Sequence, residues 1–304
     1  MLKPLRQAAV RVVKPRVSAE TWAKLREIDP LRRKRRGQLV VVRAANPARQ
    51  RAANRQYLEV PARRRSSLES MATKYRSEDW VRHGYAPRYE RHFTQLRDTA
   101  FTLLEIGIGT DHQGGAGGSS LRMWKHFFPK AQIVGLDLCD RSFLNEKRVL
   151  TYQGNQTDAD LLRIIARRHR ELKIIIDDGS HRPEQIRTTF AILFPVLADG
   201  GFYAIEDTQT SYWPRFGGSV DLKDPATTMG MIKDFLDGLN YEEFGDCGAR
   251  SYADSHVVAV HCYHNLVIIE KGRNADGGNR PKDWAVPRQA NELNPQLGTT
   301  AHGR

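Results

Sequence analysis

The sequence predicts an α/β protein built on a doubly wound, seven-stranded sheet, mostly parallel and ending in an antiparallel hairpin. Three observations carry this. From Thr102 onward, short apolar runs alternate with helical spans, the pattern of strands joined by crossover helices. The runs Ile174-Ile175-Ile176 and Phe202-Tyr203-Ala204-Ile205 are apolar or aromatic at every position, as strands covered on both faces are. Near the C-terminus, His256–Tyr263 and Leu266–Lys271 are separated only by His264-Asn265, the connection of a tight hairpin.

Taken in order, Thr102–Ile106 is the first strand, and Gly107-Ile108-Gly109 turns out of it. Ser119–Phe128 reads as a helix, with Leu121, Trp124 and Phe128 on one face. Gln132–Leu136 and Arg148–Tyr152 are the next strands. Asp158–Arg168 is a helix with Leu161, Leu162 and Ile165 inward. Ile174–Asp177 is the fourth strand, Pro183–Leu197 a helix and Phe202–Ile205 the fifth strand. Thr208–Pro225 is long and aromatic, which marks a binding loop or lid, and Met231–Leu239 resumes as a helix. Upstream, Ser67–Met71 begins a helix, and the aromatic-rich stretch that follows is placed to lie over a ligand pocket. Residues 66–271 thus form one domain.

Its flanks differ in character. The chain carries a net +13, but residues 1–65 hold 19 of the 48 Lys and Arg and 4 of the 35 Asp and Glu. The arm is therefore +15 and the remainder −2. Within it, Ala19–Glu27 is expected to be a short helix and Gln38–Val42 a strand. Such a basic arm is the one feature that suits nucleic acid. Residues 272–304, rich in Gly, Asn and Pro, have the composition of a disordered tail. No apolar run approaches the roughly 20 residues of a membrane span. Cys139, Cys247 and Cys262 form no metal or disulfide pattern, so the chain is expected to be cytoplasmic.

The chemistry gathers at strand ends. In a parallel sheet the carboxyl ends share one crevice, so Asp178, after the fourth strand, should meet Glu206 and Asp207, after the fifth. Three convergent carboxylates suit Mg²⁺. His181, three residues past Asp178, is the candidate general base. After the first strand, Glu105-Ile106-Gly107-Ile108-Gly109 lets backbone approach a ligand. Asp137 ends the second strand, where a carboxylate holds ribose hydroxyls, and Asn155 lies past the third, within reach of an adenine edge. Together they point to an adenosine ligand. A dinucleotide wants the third glycine of its fingerprint on a short turn, whereas Thr110–Gly118 is a long loop here. S-adenosylmethionine fits better, with Glu105 near its ammonium group.

These residues resemble a known family. Tyr85-x-Pro87-x-Tyr89-Glu90-Arg91-His92-Phe93, the Glu-Ile-Gly-x-Gly turn, Leu121-Arg122-Met123-Trp124, Gly135-Leu136-Asp137, Asp177-Asp178-Gly179-Ser180-His181 and Ile205-Glu206-Asp207-x-x-Thr210-Ser211-Tyr212-Trp213-Pro214 are similar to those of the macrocin/mycinamicin sugar O-methyltransferases. The resemblance covers roughly residues 68–271. It implies a Rossmann-like methyltransferase sheet, S-adenosylmethionine and Mg²⁺, and a small-molecule glycoside or glycan as acceptor. It further implies that Ser77, Glu105, Gly107, Gly109, Ser119, Asp137, Gly154, Asn155 and Asp178 hold the donor. Asp178, Glu206 and Asp207 would hold the metal, His181 would be the base, and Tyr212 and Trp213 would face the sugar. The family's usual Tyr-Gly-Thr-Asp-Lys is Tyr75-Arg76-Ser77-Glu78-Asp79 in this chain, and the basic arm has no counterpart. Rival readings are an RNA methyltransferase using that arm, a non-catalytic donor-binding protein, and an Fe(II) hydroxylase, which prefers two histidines where the motif offers one. A homo-oligomer is compatible with all of them.

Overall fold

The computed structural model describes residues 66–75, 83–109, 117–243 and 250–279. The arm, with its expected helix and strand, lies outside the described residues, as do Ser77, Cys247 and the chain beyond 279. Among the described residues, Thr102–Ile106 (β1), Gln132–Asp137 (β2), Val149–Gln153 (β3), Leu172–Asp177 (β4), Phe202–Glu206 (β5), Val257–Tyr263 (β6) and Leu266–Lys271 (β7) form one sheet in the order β3-β2-β1-β4-β5-β7-β6. β1 to β5 run parallel, and β7 enters antiparallel between β5 and β6. The expected doubly wound sheet with its terminal hairpin is the one found.

The period-two alternation of each strand feeds two cores. Leu103, Ile133, Ile174 and Ile176 point to one face, beneath Leu68–Tyr75 (α1), Tyr85–Phe93 (α2) and Ser119–Phe127 (α3). Leu104, Val134 and Ile175 point to the other, beneath Ala159–Arg168 (α4), Pro183–Leu193 (α5) and Thr228–Gly238 (α6). The first core is aromatic. Trp124 stacks on Phe128 at 5.7 Å and meets Tyr89 edge-on at 5.6 Å; truncating such a buried ring to Ala costs about 3–5 kcal/mol.

Where helix boundaries depart from expectation, caps and proline explain it. Asp158 is the N-cap of α4, accepting from the backbone N–H of Asp160 and Leu161. Thr227 caps α6 through the Gly230 N–H, so that helix begins at Thr228. α5 stops at Leu193 and passes into a 3-10 turn, Phe194–Val196, because Pro195 has no N–H to continue the ladder. Arg148 is not in β3. It turns at φ +65° and donates to the carbonyls of Lys125, Phe128 and Ala131, closing the end of α3.

The ordered chain also runs past Lys271, where the tail was expected to begin. Asn274 is buried; its amide donates to Asp254 O at 2.8 Å and Leu239 O at 3.2 Å. Satisfying those carbonyls fixes a segment that composition alone marks as disordered. No helix among the described residues is long and apolar enough to cross a membrane.

Candidate active site

The carboxyl ends of β1, β2, β4 and β5 meet as expected, and the contact between the first two loops is tight. A Cβ on Gly107 would stand 2.1 Å from Asp178 O, and Gly107 has φ +81°. Glycine there is what lets the β1 turn lie against Asp178. Asp178 N in turn donates to Ile106 O at 2.9 Å.

The side chains of Asp178, His181 and Asp207 converge, with one ligand atom from each within 4.8 Å of the others. His181 Nε2 stands 3.8 Å from Asp207 Oδ2. Burial lowers the His181 pKa, and the Asp207 carboxylate opposes the shift in part. Its Nδ1 is buried with no hydrogen-bond partner. His181 and Asp207 are both left-handed, at φ +56° and +52°, a strain that clusters at functional sites. Two carboxylates, an imidazole and a third acid at the adjoining position suit a hard divalent cation that keeps positions open for other oxygens.

Glu206 is not one of the converging three. It ends β5 facing the first core, where Tyr89 OH donates to its Oε1 at 2.8 Å. Tyr85, one turn earlier on α2, donates to Asp207 Oδ1 at 3.1 Å and to Asn265 O at 3.0 Å. The spacing of four places both tyrosines on one helical face, so α2 grips the two adjacent acids of β5. Burial raises the pKa of each tyrosine, followed by the charge of Asp207 for Tyr85 and of Glu206 for Tyr89, so both remain hydroxyl donors. The sequence showed these tyrosines without showing what they hold.

A second imidazole was also missed. His83 Nδ1 lies 3.7 Å from Asp207 Oδ1, so the expectation of a single histidine in the pocket is corrected. Nothing in the spacing of His83 from the acidic motifs announces this; the path of the chain into α2 decides it.

On the donor side, Glu105 is buried, and its Oε2 has no hydrogen-bond partner. Burial pushes its pKa up to about 8. An orphaned buried carboxylate oxygen at the end of β1 fits a cationic group such as an ammonium. Without one, the proton Glu105 keeps on folding sets a pH dependence. Its folded pKa lies above the ordinary 4.5, so the stability it lends is complete below about pH 4.5 and is lost as pH rises through about 8. The ligand-free protein is expected to lose thermal stability across that window, and Glu105→Gln, which stays neutral, to lose less. Parallel melting curves for the two proteins would overturn this.

Asp137 holds its own loops: Oδ2 accepts from Ile108 N at 3.2 Å, Oδ1 from Cys139 N at 2.8 Å, and Arg141 Nε lies 3.7 Å from Oδ1. A carboxylate has about four lone-pair sites, so capacity for two ribose hydroxyls remains. Ser119 opens α3 behind Gly117 and Gly118. Gly154 has a packing reason, since a Cβ there would stand 2.2 Å from Leu161 Cδ2. Asn155 Oδ1 accepts from Thr157 N and Oγ1, both at 2.9 Å, so contact with an adenine edge would fall to its amide N–H.

The aromatic connection after β5 is folded into two 3-10 turns, Thr208–Tyr212 and Pro214–Phe216. Thr210 and Ser211 are buried, while Tyr212 and Trp213 are about two-fifths exposed (41% and 43%). Gly218 packs on this backbone, a Cβ there lying 2.3 Å from Thr210 O. The base of the loop is thus anchored, and Tyr212 and Trp213 lie on its exposed side.

The chain is similar to known methyltransferases. Mycinamicin VI 2''-O-methyltransferase of Micromonospora griseorubida is 43% identical over 219 residues, 71% of this chain and 55% of that protein. Demethylmacrocin O-methyltransferase of Streptomyces fradiae is 45% identical over 215 residues, 69% of this chain and 54% of that one. MycE, a methyltransferase from mycinamycin biosynthesis solved with Mg, SAH and mycinamycin VI, matches with a TM-score of 0.68 at 42% identity, over 74% of this chain and 58% of its own. No protein-family profile matches the chain. The chain spans little more than half the length of these curated relatives. Across the shared stretch it is a relative of the macrocin- and mycinamicin-type sugar O-methyltransferases and has the methyltransferase fold.

Proposed function

We propose that the protein is an S-adenosylmethionine-dependent, Mg²⁺-assisted O-methyltransferase acting on a sugar hydroxyl of a glycosylated natural product or glycan. The observation that carries this is the double position of Asp178: its backbone lies against the Gly107 turn, and its side chain joins Asp207 and His181. Donor and cation sites therefore share a residue, which brings a methyl group and an acceptor oxygen into one crevice. The relatives' printed names support the sugar acceptor.

When bound, S-adenosylmethionine supplies a methyl on a positively charged sulfur, and Mg²⁺ supplies a Lewis acid that makes a nearby hydroxyl more acidic. Glu105 to Gly109, Ser119, Asp137, Gly154, Asn155 and Asp178 hold the donor, and Ser77 belongs with them from outside the described residues. Asp178 and Asp207 would hold the cation, and Glu206, outside that cluster and held by Tyr89, would approach it as the third carboxylate. His181 takes the proton of the acceptor hydroxyl; lowered by burial, its imidazole is neutral and has a lone pair for it. Tyr212 and Trp213 present flat apolar faces to the sugar ring. Much of the acceleration comes from holding these partners in line.

The test is a labelled-methyl assay on a panel of glycosides, with and without a chelator. Chelator-sensitive transfer to a sugar hydroxyl is expected. Transfer confined to RNA, or unaffected by chelation, would refute the reading.

A further inference from the structure

His181 and Asp207 belong to different loops, and both hold a backbone that costs a non-glycine residue about 1–2 kcal/mol. One side chain joins them. Thr210 is 2% exposed. Its hydroxyl lies 2.9 Å from His181 O and 2.8 Å from Asp207 O, and its N–H donates to Asp207 O at 3.1 Å. The bonds to Asp207 are local to the turn. The bond to His181 crosses between loops 29 residues apart in sequence. A hydroxyl has one proton, so that proton is shared by the carbonyls of the two strained residues.

The other side of the His181 turn is fixed independently. Gln156 Oε1 accepts from Ser180 N at 2.7 Å, while its Nε2 donates to Asp177 and Thr189, both at 3.2 Å. Tyr203 OH donates to Asp177 from beneath at 3.1 Å. The Asp178–His181 turn is therefore held by Gln156 at Ser180 and by Thr210 at His181. Of these two, Thr210 is the one that also holds Asp207.

We propose that Thr210 is a positioning residue whose hydroxyl sets the separation of the His181 imidazole and the Asp207 carboxylate. This rests on the reading of the site as a metal-assisted methyltransferase centre. Without the hydroxyl, each loop relaxes separately; the cation ligands spread and the imidazole leaves its line to the acceptor.

The test uses the full chain with Thr210→Val, which keeps the shape and removes the hydroxyl, and Thr210→Ser, which keeps the hydroxyl. Mn²⁺ serves as a spectroscopic probe of the cation site, its binding followed by electron paramagnetic resonance, and SAH affinity is measured by calorimetry. Thr210→Val is expected to weaken Mn²⁺ about tenfold or more and to lower kcat about 10²-fold, with SAH affinity nearly unchanged. Thr210→Ser is expected to restore Mn²⁺ affinity and kcat. Thr210→Cys, whose thiol donates weakly, should fall between, and it decides the matter if the Val variant does not fold. Wild-type Mn²⁺ affinity in the Val or Cys variant, or a Ser variant as impaired as Val, overturns the assignment. A wild-type protein that binds neither SAH nor Mn²⁺ overturns the reading of the whole site, which is a distinguishable result.

Discussion

Replacing His181 by Ala is expected to lower methyl transfer about 10²–10⁴-fold, the range lost with a general base, while SAH binding stays within a few fold. The substitution leaves Glu105 and Asp137, the proposed donor residues, in place, so SAH affinity is expected to survive. At φ +56° alanine accepts the left-handed region less readily than histidine, so it adds some strain to the loop. His181→Asn is the companion variant, because asparagine accepts the left-handed region more readily. Both variants should lose transfer alike in single-turnover measurements. Turnover preserved in either variant, or turnover lost only in step with SAH binding, would remove His181 from the role of base.

The second large effect is expected at Asp207. Its carboxylate receives Tyr85 at Oδ1, faces His83 at 3.7 Å and faces His181 at 3.8 Å. Asp207→Asn keeps the shape and suits the φ of +52°, so folding is retained while the charge is removed. Loss of a cation ligand should exceed the 10–100-fold in metal affinity typical of a supporting residue, and transfer should fall with it. The measurement is Mn²⁺ affinity and the Mg²⁺ dependence of transfer, with SAH affinity as the internal control. Unchanged metal affinity in this variant would take Asp207 out of the cation site and leave the fold's donor pocket standing. Tyr85→Phe offers a graded version, since it removes one hydrogen bond from the same oxygen and leaves the charge.

Much of the site was legible because strand ends are written in the sequence. An apolar run that stops on an acid announces both the strand and the place where its last side chain emerges, and Asp137, Asp178 and Asp207 were found in this way. His181 was found from its distance to Asp178. What stayed hidden depends on elements brought in from elsewhere in the chain. Tyr85, Tyr89 and His83 precede the first strand, and no spacing relates them to Glu206 or Asp207. Asn155 was expected to reach an adenine edge; its oxygen closes the turn at Thr157, which assigns that contact to its amide N–H. Gly154 was expected among the donor-holding residues, and the structure adds a packing reason for it at Leu161. In each case the motif gave a residue type, and packing chose its partner.

By itself, then, the sequence determined the strands, their mainly parallel sense and the acids at their ends, since burial on both faces and period-two alternation are local properties of the chain. Only the tertiary structure decided that β7 enters the sheet between β5 and β6, that α2 clasps the acids of β5, and that one threonine hydroxyl joins two loops. Those are contacts between residues far apart in the chain, and their geometry follows from how whole layers pack against the sheet.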